Sequence, residues 1–123
     1  PTPSITRWPY DEYHTSDDSP EIIKDNNLDE TVSLITDVWN IINTSYIPKR
    51  KFKGPIMQSR YGLWVDWREN RALNLKTEEI MFMFEGNKSL IDIAYELELN
   101  YKDVKKYVDK ILEKGLIEIV DNV

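Results

Sequence analysis

The chain has 123 residues, 41% of them hydrophobic, with no cysteine, one histidine and a formal net charge of −6. That size suits one domain, or one small domain with an extra segment. The composition excludes a disulfide framework, argues against a general nucleic-acid binder, and offers neither a membrane-spanning apolar run nor a basic-then-apolar secretory signal.

Without disulfides, the cytoplasm is the default compartment. The chain opens on Pro1 rather than Met, which fits either a removed initiator or a piece of a longer protein. Charge is distributed unevenly. Residues 1–47 carry two basic and nine acidic side chains, and residues 73–123 carry seven and eleven. Residues 48–72 reverse the balance, with seven basic and two acidic side chains.

Residues 1–21 are rich in Pro, Ser, Thr and Asp, show no lasting periodicity, and read as loop. Within them lies Tyr13-His14-Thr15-Ser16-Asp17-Asp18, which holds the only histidine. An imidazole between an aromatic ring and hydroxyl residues, with carboxylates close behind, suits a metal ligand. It is not a complete site, because a catalytic zinc takes about three protein ligands. A surface or capping histidine without catalytic importance is the competing assignment. A calcium loop built on Asp11, Glu12, Asp17 and Asp18 misses the EF-hand spacing and its central Gly.

Asn27-Leu28-Asp29-Glu30 has the form of a capping box, with Asn27 as N-cap. Leu28, Val32, Ile35, Val38, Trp39 and Ile42 follow at helical spacing, predicting an amphipathic helix over residues 28–42. Residues 47–59, with Pro48, Gly54 and Pro55 among basic side chains, read as a linker. Residues 61–67 alternate in part and are rich in aromatic and β-branched types, predicting a strand. Trp8, Trp39, Trp64 and Trp67 fit packing better than substrate stacking.

The last third is the most regular. A helix is expected over residues 77–84, with Gly86 at C′. Ser89-Leu90-Ile91-Asp92 opens a second helix that buries Leu90, Ile93, Ala94 and Leu97. Asn100 caps a third, which buries Tyr101, Val104, Val108, Ile111 and Leu112 and stops at Lys114-Gly115. A strand over residues 116–120 follows and pairs with 61–67. This order is that of a winged helix-turn-helix.

The second helix of such a motif lies in the major groove when it reads DNA. Its exposed positions here include Lys102, Lys105, Lys106 and Lys110. Asp103, Asp109 and Glu113 interleave with them, and no Arg or Gln stands at the first exposed positions. A mixed-charge solvated face, serving protein interaction, fits better than DNA binding.

Three stretches resemble one family. Trp8-Pro9-Tyr10-Asp11-Glu12-Tyr13-His14-Thr15-Ser16-Asp17-Asp18, followed by a helix, resembles the last metal-ligand loop of zinc-dependent aminopeptidases of the co-catalytic, two-metal type. Gly54-Pro55-Ile56-Met57-Gln58-Ser59-Arg60-Tyr61-Gly62-Leu63-Trp64 resembles a stretch of a bacterial subgroup of aminopeptidase-like proteins. Ser89-Leu90-Ile91-Asp92-Ile93-Ala94 resembles a run in the C-terminal winged helix of that subgroup. The stretches occur in the family's order and span most of the chain.

The resemblance implies an α+β, mainly helical chain. Residues 1–47 would be the closing loop and helix of a zinc-peptidase α/β domain, 48–60 a basic linker, and 61–123 a winged-helix domain. It implies that His14 ligates zinc, with Tyr13, Thr15, Asp17 and Asp18 shaping the loop or orienting the imidazole. The other ligands and the glutamate base lie ahead of this loop in the family, so the chain would be inactive alone. Its partners would be the remainder of the peptidase chain and a peptide substrate, with no membrane and no nucleic acid. The alternative is a free-standing winged-helix interaction or DNA-binding regulator.

Overall fold

A computed structural model describes residues 4–120. These form a mixed α/β, mainly helical structure: α1 (Asp25–Thr44), β1 (Ile47–Arg50), α2 (Arg71–Phe82), α3 (Leu90–Glu96), α4 (Tyr101–Glu113) and β2 (Ile117–Val120). Short 3-10 turns occur at Pro20–Ile22 and Gln58–Tyr61. The chain divides into two compact units, Pro1–Val38 and Trp39–Val123, and the division falls within α1.

The described part of the first unit contains no buried residue. Arg7 ties its loop to α1 through the Asn27 carbonyl and the Glu30 carboxylate. The helix opens at Asp25, so Asn27 is not its N-cap. The backbone N–H groups of Asn27 and Leu28 already donate to the Lys24 carbonyl, at 2.9 and 3.3 Å. The helical spacing is realised, yet Leu28, Val32 and Ile35 remain 52%, 63% and 48% exposed. Each fully buried aliphatic side chain contributes roughly 1.5–3 kcal/mol, and this face does not collect that contribution within its own unit.

The second unit holds the core. Ile80, Phe84, Leu90, Ile93, Val108 and Ile111 are fully enclosed. Helix α2 starts earlier than the periodicity predicts, because the Asn70 side chain accepts from the Leu73 N–H at 3.0 Å and caps it. It also ends earlier, at Phe82, so Gly86 is not its C′ residue. Gly86 instead takes a left-handed φ of 81° where a Cβ would meet the Lys49 side chain at 3.3 Å.

Helices α3 and α4 follow the expected signals closely. Ser89 and Asp92 form a reciprocal capping box, and Asn100 caps α4 through the Lys102 N–H at 2.9 Å. Helix α3 buries Leu90, Ile93 and Ala94, while Leu97 is half-buried. Helix α4 buries Val104, Tyr107, Val108 and Ile111, with Tyr101 and Leu112 at the margin. Gly115 closes α4 with N–H to the Leu112 carbonyl, and Leu116 N–H reaches Ile111, a Schellman motif.

The sheet corrects the expected pairing. Residues 61–67 form no strand, and the partner of β2 is β1, antiparallel, with Ile47 opposite Val120 and Arg50 opposite Ile117. The backbone around residues 61–67 is satisfied in other ways. Gly62 takes a left-handed φ of 68°, Leu63 N–H donates to Gln58, and the Val65 carbonyl accepts from the Asn74 amide. Only Leu63 of this stretch is buried, and Trp64 and Trp67 face solvent.

Residues 47–50, expected within a linker, carry the strand despite Pro48. In a strand the N and C=O of one residue point to the same side. The Pro48 carbonyl accepts from Gly86 N–H at 3.2 Å, so the missing proline N–H faces Gly86 and leaves the ladder to β2 intact. Arg50 N–H donates to the Phe84 carbonyl at 2.9 Å on that same side. Thus β1 is held along both of its edges.

Candidate functional site

His14 stands in a pair of overlapping turns. Tyr13 N–H donates to the Tyr10 carbonyl at 3.4 Å, and Thr15 N–H to the Glu12 carbonyl at 3.0 Å. The Thr15 hydroxyl donates to that same Glu12 carbonyl at 2.7 Å and accepts from the Asp17 N–H at 3.2 Å. These bonds hold His14 at a left-handed φ of 62°, a conformation that costs a non-glycine residue about 1–2 kcal/mol. The imidazole is exposed and lies 3.8 Å, centroid to centroid, from the Tyr13 ring. Tyr13 in turn meets Tyr10 at 5.5 Å.

The turn accounts for several neighbours of His14. Thr15 uses its hydroxyl as donor and acceptor within the loop, so its role is to shape the backbone. Asp18 accepts from the Tyr10 hydroxyl at 2.5 Å. That hydrogen bond holds the Tyr10 phenol above its ordinary pKa. Among the described residues, no hydrogen bond joins His14 to Asp17 or Asp18, and no three His, Asp or Glu side chains converge as a metal-holding group. The turn offers a zinc one imidazole nitrogen, and its chemistry fits a single ligand.

Of the four lysines expected on the exposed face of α4, three are exposed and Lys105 is half-buried. Lys102, Lys106 and Lys110 are exposed. Lys105 is not part of that open face. Its ammonium pairs with Asp109 at 2.6 Å and lies 5.2 Å from the Tyr46 ring centroid. Tyr46 completes the group by donating its hydroxyl to Asp109 at 2.8 Å. Half-burial, and then the Asp109 carboxylate, push the Tyr46 hydroxyl far above its ordinary pKa. The Lys105/Asp109 spacing of four residues is visible in the sequence, whereas the contribution of Tyr46 depends on the fold. Asp103, at the start of α4, accepts from the Asn70 amide at 2.8 Å.

Basic residues of the 48–60 stretch are also engaged. Arg50 pairs with Glu85, and Lys49 and Lys51 both approach Glu118 on β2. A small apolar depression lined by Phe52, Ile56, Met81 and Phe82 encloses about 10 Å³, far below the roughly 300–1,000 Å³ of a small-molecule site. No helix among the described residues is long and apolar enough to cross a membrane. Comparison with protein-family models, curated proteins and solved structures finds no match.

Proposed function

We propose that this chain is the C-terminal part of a metal-dependent, aminopeptidase-like hydrolase, to which it supplies one zinc ligand, His14, and an accessory winged-helix module. The observation that carries this proposal is the turn at His14. A non-glycine residue is held in left-handed backbone by hydrogen bonds on either side, and its imidazole faces solvent. Strain of this kind concentrates at functional sites.

Within that proposal the turn has a defined task. The bonds from Thr15 to Glu12 and from Asp17 to Thr15 fix the backbone, and the Tyr13 ring lies against the imidazole at 3.8 Å between centroids. His14 binds and orients, and it moves no proton. A zinc pair, when bound, supplies a nucleophilic water and polarises the scissile carbonyl. The remaining ligands and the general base belong to the rest of the peptidase, so this chain does not hydrolyse peptides by itself. The reading frame upstream of Pro1 tests this directly. It should continue and encode further His, Asp and Glu ligands. An initiator Met immediately before Pro1 would remove the catalytic half of the proposal.

We further read the second unit as a winged helix-turn-helix. The tight connection between α3 and α4, the Asn100 cap and the β1–β2 ladder support it. A free-standing interaction or DNA-binding regulator is the second functional reading, favoured by the exposure of Lys102, Lys106 and Lys110 on α4.

A further inference from the structure

We draw no further inference here: the strongest candidate, the apolar face of α1 at Leu28, Val32 and Ile35, carries nothing because nothing in the structure shows what covers it.

Discussion

Glu98 donates its backbone N–H to the Tyr95 carbonyl at 3.2 Å from a left-handed conformation, φ 55°. Leu99 N–H adds a bond to Ala94 at 2.9 Å, completing the Schellman closure of α3. The turn that sets α4 against α3 therefore places a non-glycine residue where glycine is favoured. Replacing Glu98 with Gly should raise the stability of the second unit by about 0.5–1 kcal/mol, the strain relieved less the added chain entropy. A rise in the urea midpoint with unchanged m checks it.

The capping box at the start of α3 predicts a pH dependence. Ser89 donates to the Asp92 carboxylate through both hydroxyl and backbone N–H, at 2.7 and 2.8 Å. The hydroxyl bond, then the backbone bond, holds the Asp92 carboxyl below its ordinary value. A lowered folded-state pKa adds stability above the unfolded value, and that stability is lost as pH falls through the folded one. Asp92→Asn should lower stability at neutral pH and flatten the acid limb of the stability curve. Ser89→Ala should cost about 1 kcal/mol, measured by denaturant titration near pH 7.

Tyr46 and Asp109 link the segment entering β1 to α4. Tyr46→Phe removes the phenol and leaves Lys105 on Asp109. The expected loss is about 1.5–3 kcal/mol, the range for a hydrogen bond to a charged acceptor. A double-mutant cycle of Tyr46→Phe with Asp109→Ala should show non-additivity; additive losses would contradict direct coupling.

The contrast between the two units is also testable. Phe84 has no exposed surface, so Phe84→Ala should cost about 3–5 kcal/mol. Val32 is 63% exposed, so Val32→Ala should change stability by no more than about 0.5 kcal/mol. Thermal unfolding of each variant measures the difference.

These differences explain which elements were legible in the sequence. Ser89, Asp92, Asn100 and Gly115 act within one turn of their own positions, so their local spacing suffices to identify them. The β1 strand depends on Ile117–Val120 and on Phe84 and Gly86, all distant in sequence. Its Pro48, Lys49 and Arg50 carry the composition of a linker. Residues 61–67 have strand composition, but Gly62 and the Asn74 side chain redirect their backbone. At the candidate site, the lone histidine is evident from sequence, while its left-handed backbone and its stacking on Tyr13 require the fold.

If the exposed lysines of α4 serve DNA, affinity should fall steeply with salt, and Lys106→Glu with Lys110→Glu should reduce the slope by about 2. If α4 serves protein contact or structure, a mixed-sequence duplex should show no binding at low salt. Fluorescence anisotropy distinguishes these outcomes.

Zinc content tests the proposed ligand role of His14 most directly. On the proposal that this chain belongs to a longer peptidase, that polypeptide should be purified with His14 and as His14→Ala, and zinc per protein determined by elemental mass spectrometry. The proposal predicts a marked fall in bound zinc for the variant while the unfolding of the second unit stays the same. Equal zinc in both proteins would contradict a ligand role for His14.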